Sequence, residues 1–165
     1  MFRPVLLCLC LVPAAQAAVE FVPSFNDEPV SAKESAAVGE ALPAGPLVEP
    51  QAERRILLFS ATSGFRHNSI PIGKEAFEQM GLKTGAYVTV VSDDPAHFEP
   101  EALRRFDAVL LLNPSGSFFM PSVRGKHSQR DQYTEAEWAW LEARHKRLID
   151  NLIDYVENGG GLMGV

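Results

Sequence analysis

Four short apolar runs, separated by segments of helical period, constrain this chain more than any other feature of its sequence. Ile56-Leu57-Leu58-Phe59, running on to Thr62, is the first; Tyr87-Val88-Thr89-Val90-Val91 and Ala108-Val109-Leu110-Leu111-Leu112 follow, and Gly161-Leu162-Met163-Gly164-Val165 begins a fourth. Continuous runs, rather than alternating ones, are what strands covered on both faces require. Between the first two, Asn68 or Ser69 can cap a helix reaching about Met80, with Pro71 in its first turn and Ile72, Ala76, Phe77 and Met80 on one face. A short helix is expected from Glu101 to Arg105. The longest begins at Thr134, which forms a capping box with Glu137, and carries Trp138, Leu141, Leu148, Leu152 and Val156 toward the sheet until Asn158-Gly159 ends it.

Strands alternating with helices imply right-handed crossovers and a parallel sheet with helices on both faces, an α/β three-layer sandwich. The flavodoxin-like strand order 2-1-3-4 places the topological switch between the first and third strands, and the loops at their carboxyl ends should form the ligand crevice. Those loops read Ser63-Gly64-Phe65-Arg66-His67-Asn68 and Asn113-Pro114-Ser115-Gly116, with Ser92-Asp93-Asp94-Pro95 beside them after the second strand.

The residues ahead of the first strand read differently. Met1-Phe2-Arg3 puts a positive charge before the apolar run from Val5 to Val12, and Ala15-Gln16-Ala17 fits a small-x-small cleavage site, so 1–17 reads as a signal peptide and the protein as secreted or periplasmic. Both cysteines, Cys8 and Cys10, lie inside that leader, which leaves the mature chain without a disulfide, a thiolate ligand or a cysteine nucleophile. From 18 to 54 the chain is rich in Ala, Glu and Pro without an apolar period and reads as a flexible linker; an edge strand at Val19-Glu20-Phe21-Val22 is the weaker alternative. The α/β domain then occupies 55–165. A formal net charge of −6 argues against nucleic-acid binding, and outside the leader no apolar run approaches the roughly 18 residues of a membrane span.

Gly64-Phe65-Arg66-His67 with Ser69-Ile70, then Asp93-Asp94-Pro95 with Phe98, Leu112-Asn113 with Gly116, and Gly159-Gly160-Gly161-Leu162-Met163-Gly164-Val165 together resemble the ThuA-like (trehalose utilisation) family over about 55–165. The resemblance implies a fold similar to the class I glutamine amidotransferase domain. It also implies a role in the metabolism of trehalose or a related sugar, including oxidised keto-sugars, often in exported bacterial proteins; it supplies no defined reaction. Two departures stand out. Residues 117–132, with Phe118-Phe119-Met120 and Arg124-Gly125-Lys126-His127, look like an inserted loop, and the family usually continues past the position of Val165 with a histidine and a small-residue turn. The expectation is therefore a domain incomplete at its C-terminus, lacking later strands and the elbow that carries the nucleophilic cysteine in amidotransferase relatives.

Arg66 and His67 are the catalytic candidates, since arginine offers a planar donor fork and histidine titrates near neutrality; the alternative is a turn that only caps the next helix. Asn113, Ser115, Gly116 and Asp93 are candidates for binding a small-molecule sugar, although Asn-Pro-Ser-Gly is also ordinary turn chemistry and adjacent aspartates in a turn point apart. No metal site and no cofactor is assigned. His97, His127 and His145 share no ligand spacing and are expected to be solvated, and Trp138 is expected in the core. Three functions follow: an exported sugar-processing enzyme, a non-catalytic carbohydrate-binding or interaction module, or a flavodoxin-like flavin carrier through Ser60-Ala61-Thr62-Ser63-Gly64, whose phosphate cradle Phe65-Arg66-His67 interrupts.

Overall fold

The computed structural model describes residues 19–165; the expected leader and both cysteines lie outside the described residues. The apolar runs form β1 (Arg55–Phe59), β2 (Val88–Val91), β3 (Ala108–Leu111) and β4 (Gly161–Gly164). They make one parallel sheet in the order β2-β1-β3-β4, with Leu57 opposite both Val90 and Val109, and Leu110 opposite Met163. The expected topology is the observed one. Because successive side chains on a strand point to opposite faces, β1 divides its residues between two cores. Leu57 and Phe59 join Val109, Leu148 and Leu152 on one side, while Leu58 meets Leu110, Leu112, Ile70 and Phe77 on the other. Helix α4 (Glu135–Glu157) therefore covers one face and α2 (Ile70–Thr84) the other.

The helix ends follow local chemistry. Thr134 Oγ1 accepts from Glu137 N while the Glu137 carboxylate accepts from Thr134 N, the capping box expected from sequence. Helix α2 starts after Ser69 with Pro71 in its first turn and runs one turn beyond Met80, to Gly85 at φ +65°. The short α3 spans Pro100–Leu103. Val156, expected to face the sheet, is exposed, and coverage on both faces holds for the central β1 and β3 but not for the rims: Val88 of β2 and Leu162 and Met163 of β4 are about half exposed.

Two segments depart further from expectation. Within 18–54, expected to be a flexible linker, α1 (Ala32–Ala41) forms behind a capping box of Ser31 and Glu34 and lies on α2. Its contacts there are polar: Ser35 Oγ donates to Glu75 Oε1 at 2.6 Å, and Lys83 Nζ donates to the carbonyls of Gly39 and Leu42 near its C-terminus, where a cation is favoured. The Val19-Glu20-Phe21-Val22 piece forms no strand; Phe21 is buried with Met120 and Leu141. The 117–132 stretch is a loop as expected, irregular apart from short 3-10 turns at Gly125–His127 and Arg130–Gln132, but beyond that expectation it contributes to the core. Phe119 is fully buried, its ring centroid 4.5 Å from that of Phe98 and 5.6 Å from that of Phe59.

Candidate functional site

The carboxyl ends of β1 and β3 are tied into one rim. Thr62 and Ser115 form an isolated parallel bridge, Ser63 N and Gly64 N both donate to Ser115 O at 2.9 and 3.3 Å, and Ser115 Oγ donates to Phe65 O at 2.6 Å. The two loops approach so closely that an added Cβ on Gly64 would lie 2.9 Å from Ser115 Oγ, and one on Gly116, itself at φ +67°, would lie 2.6 Å from Ser63 Oγ. Asn113, at φ +48°, is the one non-glycine residue in the left-handed region among the described residues. Its side chain donates to Ser69 Oγ at 3.3 Å and its backbone N–H to Val165 O at 2.7 Å.

Asp93 and Arg66 are held more firmly than free site residues would be. The Asp93 carboxylate accepts from Ser60 N at 2.6 Å and from Ser60 Oγ, with Lys74 Nζ 3.3 Å away, so it clamps the end of β2 to the end of β1. Its neighbour Asp94 turns aside to accept from Ala96 N. Arg66 donates through Nε and Nη2 to the two carboxylate oxygens of Asp27, both at 2.5 Å, and through Nη1 to Ser60 O at 2.8 Å. Phe25 lies against the guanidinium, 3.7 Å from its carbon to the ring centroid. The Arg66 hydrogen bonds, with Lys74 nearby, hold the Asp27 carboxyl below the usual carboxylate range. His67 is exposed and sets its ring edge against Phe65 at 4.8 Å.

Two hollows on this rim border the candidate residues. The smaller, of about 370 Å³, is lined by Asp27, Arg66, His67, Asn68 and Pro71. The larger, of about 880 Å³, has Ser63, Gly64, Phe65, Ser115 and Gly116 on one wall, Met120 and Arg124 from the 117–132 stretch, and Trp138, Glu142 and His145 from α4. The sequence-derived candidates thus divide: Arg66 and His67 border the smaller hollow, Ser115 and Gly116 the larger, and Asp93 and Asn113 brace the loops without lining either. Other hollows of comparable size, about 630 and 640 Å³, lie by Arg54 and Tyr87 and by Asp107 and Gly160, at the amino ends of the strands, away from the end where open parallel sheets bind ligands.

The α4 wall was missed from sequence. Its residues at 138, 142 and 145 share one helical face, a visible spacing, but which face of α4 meets a crevice depends on where 117–132 packs. Trp138 Nε1 donates to Glu142 Oε1 at 2.9 Å, and the Arg130 guanidinium sits 4.8 Å from the Trp138 ring centroid. Trp138 is half-buried: it packs against the core cluster of Phe21, Met120 and Leu141, as expected, and also borders the cleft. The expectation of solvated histidines holds for exposed His127 alone: His97 is half-buried against Phe106, and His145 is half-buried with its ring edge-on to Phe118 and Phe119. Burial pushes the His145 imidazole below its ordinary pKa. Among the described residues no cluster of three or more His, Cys, Asp or Glu could hold a metal ion, and no helix is long and apolar enough to cross a membrane.

The sequence profile of ThuA, described as trehalose utilisation, matches residues 55–165. The chain belongs to the ThuA family. Neither a curated protein nor a solved structure matches it significantly. The match begins at β1 and spans the whole sheet, so the ThuA domain includes the rim and both cleft walls, while Asp27 and α1 reach it from outside the matched region.

Proposed function

We propose that the ThuA domain recognises a neutral sugar, a disaccharide of the trehalose kind, in the larger cleft at the carboxyl ends of β1 and β3. The observation that carries this reading is the position and lining of that cleft. It opens at the topological switch of a parallel sheet, its volume lies within the few hundred to about 1,000 Å³ range of small-molecule sites, and an indole, an imidazole, a carboxylate and serine hydroxyls converge on it. Sugars offer that kind of surface alternating apolar and hydroxyl patches. Family membership in trehalose utilisation supports the same substrate class.

The reading is one of binding. Arg66 already uses three of its five N–H groups on Asp27 and Ser60, and His67 borders a different hollow from Ser115 and Gly116. The flavin alternative is weakened because the Ser63 and Gly64 N–H groups, which a phosphate would need, are given to Ser115 O. Export of the protein belongs to the same proposal and rests on the leader pattern of residues 1–17.

The test uses Trp138 as reporter, in a Trp140→Phe variant purified after export. Trehalose should change the indole emission saturably, with calorimetric heat of matching affinity, and the mature chain should begin near Ala18. Emission and heat that stay flat with trehalose, maltose and glucose would overturn the sugar reading.

A further inference from the structure

His145 faces the cleft with half of its hydrogen-bonding capacity sealed away. Its Nδ1 is enclosed and without a partner, the one such side-chain nitrogen or oxygen among the described residues. Phe118 and Phe119 meet the ring edge-on with centroids 6.5 and 5.8 Å from its own. With Nδ1 shut off, Nε2 is the ring nitrogen left for the cleft that His145 lines.

This arrangement decides where the proton sits. A proton on Nδ1, in the neutral ring or the imidazolium, would bury an N–H donor with no acceptor, and the imidazolium would add a charge in apolar surroundings. A bare lone pair against the phenylalanines is the less costly state. The ring is therefore neutral with its hydrogen on Nε2, and the lowering of its pKa by burial agrees.

Resting on the sugar reading of this cleft, we propose that His145 is a specificity-determining residue of the site: a neutral imidazole whose Nε2–H donates to a hydroxyl or ring oxygen of the bound sugar. Glu142, one turn earlier on the same wall, and Arg124 on the opposite stretch are both exposed and opposite in charge, so the lining presents no net charge to a ligand. A neutral oxygen is the partner that fits. Sites built to hydrogen-bond a substrate hydroxyl discriminate strongly against ligands that lack it, because the donor is otherwise left unpaired.

The experiment compares His145→Gln, His145→Asn and His145→Leu in the full chain, with trehalose as the probe and the Trp138 emission as the readout. Gln sets an amide N–H near the position of Nε2, Asn near that of Nδ1, and Leu keeps bulk alone. The expected result is a Kd for His145→Gln within about threefold of the parent and at least tenfold weaker binding for the other two. Nitrogen shifts of His145 at pH 7 should report the Nε2–H tautomer, a readout that packing alone would not set. Equal binding by all three variants overturns the proposal and leaves the sugar reading standing. Retention by Asn with loss by Gln, or an Nδ1–H or imidazolium signal, overturns it as well. A parent protein that fails to bind trehalose removes both.

Discussion

Gly116 shows how closely the site depends on single backbone positions. At φ +67° a side chain is strained by about 1–2 kcal/mol, and here its Cβ would also meet Ser63 Oγ at 2.6 Å and Gly64 N at 3.1 Å. Gly85 has nearly the same φ, +65°, but nothing within 4 Å of the added atom. Gly85→Ala should therefore show only the conformational cost, while Gly116→Ala should cost about 1–3 kcal/mol more by forcing apart the Thr62 and Ser115 bridge. Urea unfolding checks this: the Gly116→Ala midpoint should fall well below that of Gly85→Ala at unchanged slope, and its trehalose affinity should drop too. Equal midpoints would mean that the rim yields without resistance. Asn113 tolerates its own positive φ because asparagine is among the few side chains that visit this region readily.

Ahead of the ThuA domain, the N-terminal segment behaves as a strap. Phe21 fills a pocket over Met120 and Leu141, its carbonyl accepts from Arg144 Nη1 at 3.1 Å, Phe25 and Asp27 hold Arg66, and α1 lies along α2. Because α1 buries no residue of its own, the Asp27 pair is a principal anchor between Phe21 and the helix. Asp27→Ala should cost about 1.5–3 kcal/mol, the range for hydrogen bonds to charged groups, and should make 22–31 an early site of limited proteolysis while 55–165 resists. Unchanged cleavage would show that Phe21 and α1 hold the strap without it. The difference in legibility between the two parts of the chain has a physical cause. Strands β1 and β3 announce themselves because a strand buried on both faces must be continuously apolar, and Thr134 with Glu137 marks a helix start without reference to the rest of the fold. Ser31 with Glu34 carries that same capping signal; the Ala, Glu and Pro composition around it obscured the signal, since a helix docked through Ser35, Glu75, Gln79 and Lys83 needs no apolar stripe. The rim loops were legible for a related reason, their place following from strand order. The α4 wall was not: Trp138, Glu142 and His145 become the wall of a hollow only because Phe119 and Met120 turn the preceding stretch into the core.

Over the whole molecule, the shifted groups set a pH window for stability. His145 is held below its ordinary value of 6.5 by burial, so between its folded value and 6.5 the unfolded chain binds a proton that the folded chain refuses. Stability then rises with pH across that interval: the contribution is complete above about 6.5 and lost as the pH falls through it. Asp27 is held below 3.8 chiefly by its hydrogen bonds to Arg66, and its contribution has the same sign, present above 3.8 and lost as the pH falls through the folded value. Tyr87 and Tyr155 are raised above 10.0 by burial; they stay neutral in the fold while the unfolded chain ionises, so their contribution is lost as the pH rises beyond 10. The melting temperature should accordingly be flat from about pH 7 to 9, decline in a first step just below 6.5, and decline again in the carboxylate range. His145→Gln removes the group responsible for the first step and should carry the plateau down toward pH 5, whereas Asp27→Ala should leave that step in place and weaken the second. A first step that persists in His145→Gln would assign it to another group and would contradict a neutral, partly sealed imidazole at the wall of the cleft.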